Sequence, residues 1–166
     1  MRATERTRKS AAAVIAVLAM AAAGCGGSVS HGKESPDAVE KKARSLAQQT
    51  LDAVRGAAGS AGTSAGGSTW GKCATETPGQ HRFEFRYTLK LDVGEEKSTA
   101  VMAAAKAHFV KQGYDLDLPD PKTDRVGGTE PDSSWWVGVG VNSDDDAMFI
   151  SVDSDCVTTS HDPRTA

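Results

Sequence analysis

From His81 to Val93 apolar and polar residues alternate without a break: Phe83, Phe85, Tyr87, Leu89, Leu91 and Val93 on one side, Arg82, Glu84, Arg86, Thr88, Lys90 and Asp92 on the other. A period of two is that of a strand with one face in a core and the other in water. Just before it, Thr77-Pro78-Gly79-Gln80 sets Pro and Gly as a tight turn requires, so Thr69 to Glu76 is predicted to be a hairpin partner that carries Cys73. Trp135, Val137, Val139 and Val141 predict a further strand, Asn142 to Asp146 a turn, and Met148, Ile150 and Val152 the last strand. Tyr114, Leu116 and Leu118 alternate briefly until Pro119-Asp120-Pro121, and the polar stretch on to Ser133 reads as a loop.

Two segments have the helical period instead. Val39, Ala43, Leu46, Ala47, Leu51 and Val54 recur on one side of residues 35–58, with Asp37, Lys41, Arg44, Asp52 and Arg55 opposite. Ser35-Pro36-Asp37 supplies a cap, a proline at the first helical position and a negative charge at the positive end of the dipole. This amphipathic helix either packs on the core or stands free as a stalk or partner-binding helix. Residues 95–112 form the second, with Val101, Met102, Ala105 and Phe109 on one side and Gly113 placed to stop it. Between the first helix and the strands, residues 59–68 are rich in Gly, Ala and Ser, the composition of a flexible linker.

The order helix, strand, strand, helix, strand, strand, strand is that of an α+β fold. The expectation is a two-layer sandwich, a mainly antiparallel sheet of four to five strands with two helices on one face. It gives an α+β domain over residues 69–157 and a polar tail over 158–166. About a hundred residues suffice for one core and not for two lobes.

The amino-terminal residues change the picture most. Arg2, Arg6, Arg8 and Lys9 precede an apolar run from Ala11 to Ala23. The run is shorter than the roughly 20 residues that span a bilayer as a helix, and the order of cations, apolar stretch and small residues is that of an export signal, here residues 1–24. The signal ends in Ala22-Ala23-Gly24-Cys25, and here the chain resembles the bacterial lipoproteins, whose lipobox sets small or aliphatic residues before a modified cysteine; Ala22 stands where that family usually has Leu. The resemblance implies that Cys25 becomes the mature amino terminus with a thioether-linked diacylglycerol, which places the protein at the extracytoplasmic side of the cell membrane. Two acyl chains give the stable anchoring that one does not. Residues 25–34 are then a lipidated flexible tether, about 30 Å at full extension. The alternative is an ordinary secreted protein cut at Ala23.

With Cys25 acylated, Cys73 and Cys156 remain as an even pair in an exported chain, and they are expected to form one disulfide. Cys156, at the end of the last strand, meets Cys73 if first and last strands are antiparallel neighbours. The span from 70 to 156 also looks like that of small actinobacterial envelope lipoproteins with one cysteine before a Tyr/Phe-rich strand and another near the carboxyl terminus. That group implies no activity to transfer.

Charge excludes some partners. Residues 1–24 contribute +3 to a formal net charge of −3, which leaves the remainder near −6. An acidic chain without a basic stripe suits neither nucleic acid nor electrostatic adhesion to anionic lipid. His31, His81, His108 and His161 lack ligand spacing, so no metal site is expected. Asp144-Asp145-Asp146 reads as an acidic turn, without the spacing, glycine and terminal Glu of an EF-hand loop. There is no Gly-x-Ser-x-Gly, Ser-x-x-Lys or His-Glu-x-x-His, and Gly138-Val139-Gly140 lies inside a strand rather than at the start of a helix. Neither catalytic residues nor a cofactor are expected.

Trp136 is the exception among these ordinary features. With Trp135 facing the core, it shares the outer face with Gly138 and Gly140, and small residues beside a Trp leave a flat apolar patch. The alternatives are that the loop at 119–133, or the first helix, covers it. Two functions follow: a non-catalytic module that binds an envelope protein or a small ligand, or an envelope hydrolase whose residues converge only in the fold. A pocket with paired carboxylates or a His beside a Ser would favour the hydrolase; an exposed Trp on an open surface favours binding.

Overall fold

The first helix, α1 (Pro36–Ala58), starts where its capping residues lie: the Ser35 hydroxyl accepts from the Ala38 amide at 3.2 Å, Pro36 occupies the first turn, and Gly59 at φ 73° ends it. In the computed structural model, residues 34–59, 62–74, 81–117, 124–142 and 147–165 are described. The expected export signal, Cys25, most of the expected tether, the expected turn at 77–80 and the expected acidic turn at 144–146 lie outside them.

After α1 come β1 (Thr63–Lys72), β2 (Arg82–Leu91), α2 (Glu95–Gln112), β3 (Asp115–Leu116), β4 (Arg125–Thr129), β5 (Trp136–Asn142), β6 (Ala147–Asp153) and β7 (Val157–Thr158). The fold is α+β, and the named strands pair antiparallel in one seven-stranded sheet of order β1-β2-β6-β5-β4-β3, with β7 on β2. Both helices contribute to one core. α1 packs on β2 and β6, α2 packs on β3, β4 and β5, and the two helices touch each other. Val39, Ala43, Leu46 and Val54 of α1 and Val101, Ala105 and Phe109 of α2 meet Phe85, Val137, Val139, Ile150 and Val152 in one buried cluster. The first helix is therefore part of the domain and not a stalk. Polar contacts hold it at both flanks: Lys42 reaches Glu130 at 2.7 Å and lies 4.5 Å from the Trp135 ring centroid, while Glu40 accepts from Trp70 Nε1 at 3.3 Å.

The sheet exceeds the expected four to five strands because β4 and β7 join it. β4, Arg125-Val126-Gly127-Gly128-Thr129, falls within the stretch that reads as loop, since its two glycines carry no apolar signal. They are there for clearance: a Cβ on Gly128 would sit 2.6 Å from the Asp115 carbonyl of β3, and one on Gly127 would run into the Trp136 ring. The expected linker at 59–68 is corrected as well, because β1 begins at Thr63. A Gly/Ser/Ala strand has little to bury, but at the edge of a sheet it needs only backbone partners and close approach. The register shifts between Ala65 and Gly67, where a Cβ on Gly66 would lie 2.9 Å from Thr88 Oγ1. The same bulge lets Thr88 Oγ1 donate to the Gly67 carbonyl at 3.2 Å.

Nor is the polar tail separate from the domain. Thr159 is buried, its amide donates to the His81 carbonyl at 2.9 Å, and it forms a parallel bridge with Glu34, whose amide donates to the Thr158 carbonyl at 3.0 Å. Arg164, in the closing 3-10 turn, lies over the Phe83 ring.

Cys73 and Cys156 are bonded, with their Cα atoms 6.1 Å apart. The strands around them are not neighbours in the expected way. β1 and β7 lie on opposite edges of β2, so the bridge joins the two flanks of that strand. Its position follows from a break in the last strand. β6 and β7 line up along one edge of β2 with Ser154-Asp155-Cys156 between them, and there the Phe85 amide donates to Ser154 Oγ at 2.7 Å instead of to a strand carbonyl. The Ser154 amide returns a bond to the Phe85 carbonyl at 2.8 Å. The Ser154 hydroxyl thus satisfies the backbone while the chain departs from the ladder just before Cys156.

Tyr114, half-buried against Phe109 at 5.1 Å between ring centroids, has its phenol pushed up to about 12 by desolvation and, secondarily, by Glu130. The fold favours the neutral phenol, so this contribution to stability is complete below the ordinary tyrosine value near 10 and is lost as pH rises through about 12. Absorbance titration of the two tyrosines should show one ionising near 12. A titration complete by about pH 11 would contradict this environment.

Candidate ligand-binding face

With the helices on one face, the other face of the sheet is a grid set by strand register. One row across it reads Thr129, Trp136, Asp153, Arg86, Thr69; the next, Gly127, Gly138, Ser151, Thr88, Gly67. A third begins Arg125, Gly140, Phe149, Lys90. Trp135 is 5% exposed and Val137 and Val139 are buried, so the odd-numbered positions turn inward and Trp136 turns outward, as the alternation requires.

Trp136 does not stand up from this face. Its ring overlaps the space in which a Cβ on either Gly127 or Gly138 would lie, so the indole is laid along β4 and β5 over two glycines. Its edge is fixed by Nε1, which donates to Asp117 Oδ2 at 2.8 Å, and the Arg125 guanidinium lies 5.5 Å from its ring centroid. Neither α1 nor residues 124–133 bury it: Trp136 stays half-buried, and α1 is on the opposite face. Gly138 therefore serves as the bed of the indole rather than as open surface, a correction to the expected flat patch. Gly140 is half-buried beside the Arg125 stem, where a Cβ would lie 2.8 Å from Arg125 Cβ.

Beside the ring is a broad, open depression of about 350 Å³. Ser151 and Thr88 are at its centre by register, Phe149 borders it on one side, and the Arg86–Asp153 pair on the other. Arg86 Nε and a terminal nitrogen donate to the two Asp153 oxygens at 2.6 and 3.2 Å, and that carboxylate holds the guanidinium above its ordinary value. A recess of about 70 Å³ lies on the β1 side of the same pair. Ser151 has no side-chain hydrogen bond, and Arg125 no ion pair, among the described residues.

Trp136, Gly138 and Gly140 thus lie together on the outer face, and the structure adds Arg86, Thr88, Phe149, Ser151 and Asp153, which the sequence alone does not single out. Arg125 carries no strand signal, because its strand contains two glycines and lacks apolar alternation. Asp153 is the single carboxylate among the described residues lining the depression, and Arg86 occupies both its oxygens. Among the described residues, the His hydrogen-bonded to a Ser is elsewhere: Ser160 Oγ and His161 Nδ1 are 3.0 Å apart on the exposed tail. Next to them, Arg164 holds the Asp162 carboxyl well below the usual range by hydrogen bonding. His108 is on α2 against Phe109, its imidazole pushed down by burial and then by Lys111. No group of three or more metal-ligating side chains occurs among the described residues. No known family, no curated protein and no solved structure matches this chain.

Proposed function

We propose that the protein is a lipid-anchored binding module of the bacterial cell envelope, attached through Cys25 at the extracytoplasmic side of the membrane and presenting the outer face of its sheet to a ligand. The observation that carries the binding role is the Trp136 ring laid on Gly127 and Gly138, beside an open depression that has both polar and apolar groups. An outward tryptophan adds nothing to the core on the other face, whereas a flat, partly wet ring with fixed polar neighbours is suited to recognition. The anchor is supported by the order of cations, apolar run and Ala22-Ala23-Gly24-Cys25. Among the described residues no helix is long and apolar enough to cross a membrane.

Labelled fatty acid tests the anchor. The wild-type chain should incorporate it and sediment with membranes, and Cys25→Ser should do neither or accumulate unprocessed. Equal incorporation by both would remove Cys25 from this role.

A further inference from the structure

We infer that the outer face binds an acidic saccharide, a pyranose carrying a carboxylate; this rests on the binding role just proposed and names its ligand. The depression is broad and open, which suits a ring lying across the sheet better than a compact molecule that must be enclosed. Its border offers two apolar surfaces, Trp136 and Phe149, for the C–H face of such a ring.

Polar groups of both kinds come next. A sugar presents neighbouring hydroxyls that both donate and accept, and it needs both on the protein. Ser151 supplies a half-buried hydroxyl without a partner among the described residues. The Thr88 hydroxyl, already donating to the Gly67 carbonyl, can still accept. The planar Arg86–Asp153 pair presents donors and acceptors side by side.

Charge selects the acid. Asp153 offsets Arg86, and Arg125 remains as a lining cation without an ion pair among the described residues. Its guanidinium is positioned over the Trp136 ring, where it can meet a carboxylate with two parallel hydrogen bonds. Among the described residues the lining thus has one positive charge in excess, in a chain whose overall charge is negative.

The test uses the full chain in detergent and follows its three tryptophan indole N–H resonances, with that of Trp136 assigned by Trp136→Phe. Oligogalacturonate should shift the Trp136 resonance saturably, a neutral maltooligosaccharide should bind at least about tenfold more weakly, and Arg125→Ala should cost the acidic sugar about tenfold, more than it costs the neutral one. Equal affinity for both sugars, or no effect of Arg125→Ala in a variant with an unaltered spectrum, overturns the acidic specificity. Benzoate and a neutral hexapeptide form the remaining arms. If one of them shifts Trp136 and no saccharide does, the ligand class is wrong while the face still binds; if nothing shifts it, the binding role falls as well.

Discussion

Removing the Cys73–Cys156 bridge by changing both cysteines to alanine should lower the unfolding free energy by up to about 4.6 kcal/mol, the chain-entropy value for a loop whose ends are 83 residues apart. Most small domains have 5–15 kcal/mol in all, so the loss is a large share of the total. The bridge has more than loop closure to lose. It ties β1, an edge strand with almost no buried side chain, to the break at Ser154-Asp155-Cys156 on the far flank of β2. Urea denaturation of the oxidised wild type and the double variant decides the size, read from midpoints once the slopes have been compared. A loss below about 1 kcal/mol would mean that β1 and the tail keep the reduced chain's ends together unaided. Unfolded, unreduced protein with Cys25 replaced should show no reactive thiol.

Trp135→Ala should cost about 3 to 5 kcal/mol, the range for deleting a large core side chain. The ring is 5% exposed, faces Lys42 of α1 at 4.5 Å, and belongs to the cluster in which both helices meet the sheet. Its neighbour behaves differently. Trp136→Ala removes a half-buried ring and one hydrogen bond to Asp117, a loss of about 1 kcal/mol. The reverse ranking would place the wrong tryptophan in the core, and equal large losses would show that the outer ring is as much a part of the packing as the inner one.

These two neighbours show how much of the fold the chain discloses by itself. Alternation in β2, β5 and β6 is complete enough to give both faces of the sheet centre, because each strand there buries one face under a helix. Hence Trp135 inward, Trp136 outward, and Arg86, Thr88, Ser151 and Asp153 on the wet side are all readable from period two. β1 and β4 are not, for a common reason. Their glycines serve close approach, to Thr88 in one case and to Trp136 and Asp115 in the other, and a residue chosen for having no side chain leaves no hydrophobic mark. The cost falls on the site, since Arg125 is on β4. The disulfide pairing is readable once Cys25 is set aside and Cys73 and Cys156 remain, but its path around β2 depends on the Ser154 hydroxyl substituting for a backbone partner, a three-dimensional fact with no pattern in one dimension. Docking of the tail is equally hidden, because Thr159 is a polar residue buried by virtue of the carbonyls it meets.

The parallel bridge between Glu34 and Thr159 also has a mechanical meaning. Pulled from its two ends, the described chain loads that bridge in shear, because parallel neighbours are drawn in opposite directions along their length. Once it yields, tension can draw out α1, β1 and the short carboxyl-terminal segment, but it stops at the disulfide. The residues between Cys73 and Cys156 carry no force while the bond is intact, and they contain β2, α2 and every strand that lines the outer depression. The extensible length is therefore confined to the parts of the chain outside the site, and oxidation determines whether a pull on the ends can reach the surface that holds Trp136.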